Sequence, residues 1–93
     1  MPRSGEYVAV YDVTDDVERA RVDRALLGYG FRVQKSVFEC RLTRSTRERL
    51  LAELTGLDLQ TGHVLVYRLQ HGSKPVGIGQ VPEKVDDEFA FFV

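Results

Sequence analysis

The sequence predicts an α+β fold in which two helices pack on one face of a four-stranded antiparallel sheet. Three observations support this prediction: short apolar runs rich in valine and tyrosine, two segments whose apolar residues recur at helical spacing, and glycine or proline near most boundaries between them. A chain of 93 residues has room for one small domain, and strands that alternate with helices at this length favour helices packed on a sheet.

The first strand is predicted over residues 6–12, an apolar run that stops at an aspartate, Asp12. Thr14 or Asp15 is placed to cap the helix that follows, and Glu18 is placed to complete a capping box. Gly30 is expected to end this helix. The apolar residues that recur at helical spacing, and so form its core-facing side, are Val22, Ala25, Leu26 and Tyr29.

A long second strand is predicted over residues 31–42, where the chain has enough length to bend. This strand is expected to bury Val33, Val37 and Phe38. Cys40 also lies within it and is expected to be a small core residue rather than a nucleophile. Because Cys40 is the only cysteine of the chain, an intrachain disulfide is excluded.

The second helix is predicted to begin at Thr43 or Ser45 and to end at Gly56, with leucines at positions 50, 51 and 54 on its apolar side. Two more strands follow, over residues 63–69 and 76–79, with a turn between them. The nearest common architecture for this order of elements is the ferredoxin-like βαββαβ fold.

The C-terminal residues are predicted to form a separate tail, so that residues 1–82 make up the ferredoxin-like domain and residues 83–93 the tail. Residues 89–93 are mostly aromatic, and because burial of one phenylalanine is worth roughly 1.5–3 kcal/mol they are not expected to stay in water. A proline and an acidic linker precede them, so we expect them to add as a strand to a partner protomer in a homodimer. A fifth strand within the same chain is the alternative.

The charge distribution is uneven although the formal net charge is only −1. Ten of the 13 basic residues are arginine, and the segment from Arg19 to Arg49 carries nine basic residues against three acidic ones. Arginine suits bidentate contacts with phosphate, so this surface, including Arg44 and Arg47, is a candidate nucleic-acid contact. A solvated helix surface would show the same pattern, so charge alone does not establish the contact. No leader and no membrane-spanning run is visible, and a cytoplasmic protein without membrane contact is expected.

Carboxylates are the remaining candidates for chemistry, because the two histidines and the single cysteine lack the spacing of a zinc site. Asp12, Asp15 and Asp16 cluster after the first strand, and hard oxygen ligands of this kind suit Mg²⁺. One aspartate per chain provides few ligands for a metal site, whereas two copies of Asp12 brought together across a twofold axis would suffice. On residue types alone, helix capping is the simpler interpretation.

Three segments of the chain, residues 11–16, 19–22 and 29–39, carry a strand-terminal aspartate, paired arginines and the motif Gln-x-Ser-Val-Phe-Glu. Together with the later strand over residues 63–67 and the Gly-Ile-Gly segment over residues 77–79, they resemble the small CRISPR-associated nuclease family, Cas2, of the adaptation machinery. The resemblance implies a ferredoxin-like fold, a symmetric homodimer and a phosphodiesterase whose Mg²⁺ or Mn²⁺ ion lies between the two Asp12 carboxylates.

The resemblance also implies roles for individual side chains. Asp12 would bind the metal. Ser36 would act with Asp12 in catalysis, or would only orient Asp12 or bond the strand backbone. Phe38 would stack on a base or pack at the dimer interface. The residues implied to hold flanking phosphates are Arg19, Arg21 and Arg32. Because Arg19 and Arg21 are two apart on a helix, they cannot contact the same phosphate, and at least one is expected to pair with Asp15, Asp16 or the second protomer.

Two functions remain open at this point. One is a metal-dependent endonuclease that cuts RNA or double-stranded DNA during spacer acquisition and needs Asp12. The other is an architectural subunit that bridges two copies of the larger integrase partner and holds the DNA duplex, which needs the basic surface and the tail but not Asp12. A third class, a regulatory module that binds a small ligand, has no pocket signature to support it.

Overall fold

The computed structural model describes residues 3–70, 72, 76–80 and 91–92. Within these ranges the chain forms two helices and six strands. They are β1 (Ser4–Val13), α1 (Asp16–Leu27), β2 (Gly30–Gln34), β3 (Val37–Thr43), α2 (Arg44–Gly56), β4 (Gly62–Arg68), β5 (Val76–Gly77) and β6 (Phe91–Phe92). No helix in these ranges is long and apolar enough to cross a membrane.

The main sheet has four strands in the order β2-β3-β1-β4, and every neighbouring pair is antiparallel. β1 and β2 therefore run parallel to each other with β3 between them, which is the ferredoxin-like arrangement. The α+β prediction is confirmed.

The predicted long strand over residues 31–42 is wrong in one respect, because it is two strands joined by a turn at Lys35 and Ser36. The register between β2 and β3 shifts between Arg32 and Gln34, so the hairpin is irregular next to its turn. The sequence has no glycine, proline or asparagine at this turn, and strand periodicity alone therefore continues through it.

The fourth strand of the main sheet is β4, and the strand predicted over residues 76–79 does not belong to that sheet. Its first two residues form β5, which pairs in parallel with β6 of the same chain. β6 lies in the predicted tail, so its described part pairs within the same chain, as the alternative expected, although outside the main sheet. Residues 81–90 and 93 lie outside the described residues, and the addition of the tail to a partner protomer and the domain division at residue 82 stay predictions.

The core lies between the helices and the side of the sheet that faces them. It contains alternate residues of β1 and β3 and the inward stripes of the helices, as predicted for α1. The buried apolar residues are Tyr7, Ala9, Tyr11, Val13, Val22, Leu26, Phe38, Cys40, Leu42, Leu50 and Leu54. Cys40 is confirmed as a core residue, and burial, with a smaller effect of the Glu39 charge, raises the pKa of its thiol to about 11.

Both helices begin with a side-chain cap. Asp15 caps α1 by accepting a hydrogen bond from the Glu18 amide, and Thr43 caps α2 in a reciprocal capping box with Thr46. The capping box predicted for α1 is not completed, because the Glu18 carboxylate bonds to a different loop. α1 ends at Leu27 with Gly28 as its C-cap, two residues before the predicted glycine.

Candidate functional site

Asp12 is the penultimate residue of β1, and its side chain is exposed. Its neighbours Tyr11 and Val13 are buried under the helices, so Asp12 lies on the opposite, open face of the sheet. Capping of α1 is done by Asp15. The helix-cap interpretation therefore applies to Asp15 and leaves Asp12 without a capping role.

A shallow depression of about 210 Å³ lies beside Asp12 at this end of the sheet. Tyr11, Asp12, Val13, Arg19, Lys35 and Ser36 line it. The fold thus brings together three of the predicted site residues, Asp12, Arg19 and Ser36. It adds Lys35, which no sequence motif had singled out. Lys35 reaches this place because the Tyr11 amide donates to the Ser36 carbonyl, which holds the β2–β3 turn against the end of β1.

Arg19 is largely engaged within its own loop. Its Nη1 donates to the carbonyl oxygens of Val13 at 3.2 Å and Thr14 at 2.8 Å, and its Nη2 forms an ion pair with Asp16. The expected pairing of one arginine with Asp16 is therefore confirmed for Arg19. The guanidinium also fixes the loop that follows Asp12 and places a positive charge at the rim of the depression.

Arg32 belongs to a network that supports the β2–β3 turn. Its Nη2 lies 2.8 Å from Asp23 on α1, and its guanidinium stacks over the Phe38 ring at 5.4 Å. The Tyr11 hydroxyl donates to the other Asp23 oxygen at 2.6 Å and lies 3.1 Å from the Lys35 carbonyl. Burial first, and then the hydrogen bond to Asp23, raise the pKa of Tyr11 to about 12. Arg32 thus acts from the helix side of the sheet.

Phe38 is completely buried, with 0% of its surface exposed, and it packs in the core between sheet and helices. A ring in this position has no face open to a base and does not reach the open side of the sheet. The base-stacking and dimer-interface roles considered for Phe38 are accordingly replaced by a core role.

The other predicted arginines lie away from Asp12. Arg21 is exposed on α1, where its charge contributes to lowering the Glu18 pKa. Arg44 and Arg47 lie at the start of α2 and line a second depression together with Arg3 and Arg68. We call these four residues the arginine cluster. Arg3 and Arg68 were missed because both lie far from the basic segment in sequence.

Few acidic groups balance the positive charge of the arginine cluster among the described contacts. Arg44 Nε is 3.5 Å from Glu48, and Arg47 Nη1 approaches the Tyr7 hydroxyl at 3.4 Å, which is a weak contact. The first turn of α2 carries no acidic residue, although the helix dipole favours one there. The cluster therefore presents a concentrated positive charge that suits a phosphate backbone.

The loop before β4 is fastened to the start of α1 by the Glu18 carboxylate. It accepts hydrogen bonds from the Thr61 hydroxyl at 2.5 Å, the Thr61 amide at 2.9 Å and the Gln60 amide at 2.8 Å. These bonds, with the Thr61 hydroxyl first, lower the pKa of Glu18. The Thr14 and Asp15 amides in turn donate to Thr61. The start of β4 is thereby held beside Asp12.

A divalent cation finds only part of a site in one chain. The described ranges contain no group of three or more histidine, cysteine, aspartate or glutamate side chains placed to hold a metal. Asp12 offers an exposed hard oxygen donor, and Mg²⁺ commonly uses only one or two protein carboxylates and keeps its waters. The donor chemistry of Asp12 is therefore compatible with Mg²⁺, and one chain supplies this one carboxylate to the depression.

Comparison with known proteins gives consistent results. The family model described as CRISPR associated protein Cas2 matches residues 6–74. A CRISPR-associated endonuclease Cas2 of Thermus thermophilus is 38% identical over 82 residues, covering 83% of this chain and 87% of the relative. A CRISPR-associated endoribonuclease Cas2 of Mycobacterium tuberculosis is 28% identical over 85 residues, covering 91% and 75%. A Cas2 crystal structure superimposes with a TM-score of 0.76 at 26% identity, covering 90% of this chain and 97% of the other.

Proposed function

This chain belongs to the Cas2 family of CRISPR-associated proteins, and on that basis we propose that it is a metal-dependent endonuclease that acts as a homodimer in spacer acquisition. It hydrolyses phosphodiester bonds of RNA or double-stranded DNA. The observation that carries the proposal is the position of Asp12, an exposed carboxylate without a capping role that borders a depression with Arg19, Lys35 and Ser36. Relatives named endonuclease and endoribonuclease support the reaction class.

The open face of the sheet supports the homodimer. Leu65 and Tyr67 of β4 are 46% and 55% exposed there, beside the half-buried Val8 and Val10 of β1. A monomer would leave this apolar surface in water, and such surfaces mark interaction sites. Asp12 lies on the same face. Isologous pairing of two copies through it would bring two Asp12 carboxylates to one interface.

In this dimer the two Asp12 carboxylates would hold Mg²⁺ or Mn²⁺, and the bound ion would supply charge neutralisation at the scissile phosphate and activation of water. The side chains of the depression have complementary tasks. Lys35 would favour the approach of a phosphate backbone through its positive charge, and Arg19, which is paired with Asp16, would hold the loop that follows Asp12. Ser36 offers a hydroxyl that can donate to a phosphate oxygen, and the buried Tyr11 network holds its turn in place.

The test compares Asp12→Asn with the wild-type protein on RNA and on double-stranded DNA, in Mg²⁺ and in Mn²⁺. Asp15→Asn is the matched control, because asparagine caps a helix as well as aspartate does. We expect Asp12→Asn to lose cleavage and Asp15→Asn to keep it. If purified wild-type protein cleaves no faster than Asp12→Asn, the enzyme proposal is wrong.

A separate test addresses the dimer. Leu65→Lys places a charge on the open face and is expected to convert the dimer to a monomer in sedimentation equilibrium. Leu51→Lys, which changes an exposed leucine of α2 on the helix side, is the control and should leave the dimer intact. An unchanged dimer in Leu65→Lys would exclude the open face as the interface.

The second candidate function is the architectural subunit, and the arginine cluster favours it. The cluster borders Gly5, seven residues from Asp12 along β1, which corresponds to about 24 Å at the rise of an extended strand. A phosphate-binding surface at that distance does not need Asp12. It would hold a DNA duplex while the dimer bridges two integrase subunits.

The architectural role predicts a change in the salt dependence of duplex binding. Replacing Arg44 and Arg47 together by glutamine is expected to weaken binding and to reduce the slope of log K against log salt by about 0.9 for each phosphate that the variant no longer neutralises. Arg24→Gln, an exposed arginine at the end of α1 that lines neither depression, is the control. An unchanged slope in the double variant would remove the cluster from the DNA contact. Spacer integration that survives Asp12→Asn would make scaffolding the biological role.

A further inference from the structure

We propose that His63 is a second protein ligand in the Asp12 half-site, so that the dimer offers two carboxylates and two imidazoles to one divalent cation. The inference rests on the proposed metal site. Its consequence is a preference for Mn²⁺ and other first-row transition ions over Mg²⁺, because imidazole is a good ligand for those ions and a poor one for Mg²⁺.

The register of the sheet places His63 directly across from Asp12. The two residues are partners in the antiparallel pairing of β1 with β4. The Leu69 amide donates to the Glu6 carbonyl and the Thr14 amide to the Thr61 carbonyl, so hydrogen-bonded pairs recur at every second residue, including Asp12 with His63. Their side chains therefore project from the same face with Cβ atoms about 5 Å apart.

Both side chains are exposed on the open face, which is the face proposed to meet the second chain. On the other flank of Asp12 lie Lys35 and Ser36 of the β2–β3 turn, which carry no imidazole, thiolate or carboxylate. Among the described residues, His63 is accordingly the imidazole that lies beside Asp12. The apolar residues that follow on this face, Leu65 and Tyr67, exclude water from the surroundings when the face is covered.

The position of His63 is held from two directions. A Cβ atom added at Gly62 would overlap the Asp12 carbonyl oxygen, so the absence of a side chain at Gly62 lets β4 lie close to β1 here. One residue further, Thr61 is fastened by the Glu18 carboxylate. The residue before His63 and the loop before that are thus fixed, which orders the half-site before any ion binds.

The test measures metal binding rather than cleavage. Mn²⁺ binding to the full-length dimer is followed by loss of the free-ion electron paramagnetic resonance signal, and Mg²⁺ binding by competition against Mn²⁺. We expect His63→Gln to weaken Mn²⁺ binding on the order of tenfold or more while Mg²⁺ binding changes little. His71→Gln, which changes the other histidine of the chain, is the control and should bind both ions as the wild-type protein does.

A second measurement needs no variant to fold. Pulsed electron paramagnetic resonance of the Mn²⁺-loaded wild-type protein should show nitrogen modulation that changes when histidine is labelled with ¹⁵N. Equal Mn²⁺ affinity in His63→Gln, or the absence of nitrogen modulation, would overturn the proposal for His63. Asp12→Asn separates the failure of the His63 proposal from the failure of the metal site. If Asp12→Asn abolishes Mn²⁺ binding while His63→Gln does not, only His63 is excluded as a ligand. If Asp12→Asn also binds Mn²⁺ normally, the proposed metal site itself is wrong.

Discussion

Tyr11→Phe tests whether the buried network behind the depression holds the fold together. The Tyr11 hydroxyl donates to Asp23 at 2.6 Å and lies 3.1 Å from the Lys35 carbonyl, so it joins β1 to α1 and to the β2–β3 turn. Tyr7 offers a matched control on the same strand and the same face. Both tyrosines are 6% exposed, but the Tyr7 hydroxyl has only a 3.4 Å contact with Arg47.

The expected loss follows from the kind of bond removed. A hydrogen bond to a charged group contributes about 1.5–3 kcal/mol, and Asp23 keeps Arg32 as a partner, so no carboxylate is left unpaired. Tyr11→Phe should therefore lower the free energy of unfolding by about 1.5–3 kcal/mol, and the melting temperature by about 4–8 °C for each kcal/mol. Tyr7→Phe should stay within about 0.5 kcal/mol of wild type.

Urea unfolding followed by circular dichroism at pH 7 measures both variants, at one chain concentration because a dimer unfolds in a concentration-dependent way. A pH series tests the direction in which the contribution of Tyr11 to stability changes with pH. The pKa of Tyr11 is raised from 10.0 to about 12 in the folded protein, so its contribution is complete below pH 10 and is lost as the pH rises towards 12. The gap between wild type and Tyr11→Phe should shrink over that window. Equal stability of the two phenylalanine variants at pH 7 would refute the reasoning.

Three further predictions concern stability and binding. Glu18→Gln should have a lower urea midpoint than the wild-type protein, and this difference should disappear as the pH falls below 4.5. The reason is that the pKa of the Glu18 carboxyl is lowered in the folded protein, so its contribution to stability is lost in acid. A difference that does not change with pH would contradict this. Phe38→Leu should cost roughly 0.5–3 kcal/mol of unfolding free energy and leave nucleic-acid affinity of the folded protein unchanged in a filter-binding assay. Gly62→Ala should destabilise the protein by about 1–3 kcal/mol or prevent folding, because its Cβ has no room. Gly56→Ala, in open space at the end of α2, should be neutral or stabilise by up to about 1 kcal/mol in the same melts.

The order of elements was predictable from the sequence because each signal was local. Thr43 caps α2 as expected, and Val22 and Leu26 are buried on the stripe that the helical spacing indicates. Asp12 was also recognisable, since an apolar run that stops at an aspartate needs no tertiary information. These features depend on residues a few positions apart.

The side of each residue in the hairpin was not predictable in the same way. Strand side chains alternate, so a shift of the pairing register by one residue moves every side chain of the strand to the other face. The turn at Lys35 and Ser36 is held by Tyr11, more than twenty residues away in sequence, and it sets the phase in which Phe38 and Cys40 point into the core. Continuing one strand through this turn predicted Phe38 as buried but also Val37, which is only half-buried.

Contacts between neighbouring strands are the second kind of feature that could not be predicted from the sequence. Lys35 and His63 flank Asp12 only because β3 and β4 pair with β1 in one register, which depends on the whole sheet. Arg3 and Arg68 join Arg44 and Arg47 for the same reason. The residues that local patterns did not reveal are thus those whose proposed function depends on contacts across strands.

β1 connects the two proposed activities, since Asp12 lies at one end and the arginine cluster at the other. Sites more than 7–10 Å apart without shared partners have additive effects, within about 0.3–0.5 kcal/mol. A triple variant that combines Asp12→Asn with glutamine at Arg44 and Arg47 should therefore lose duplex-binding free energy equal to the sum of the two separate losses, that of Asp12→Asn and that of the double arginine variant. All are measured in Mn²⁺ at fixed salt. A deviation beyond that margin would mean that the duplex contacts both ends as one coupled surface. In that case the enzyme and the scaffold could not be assigned to separate residues.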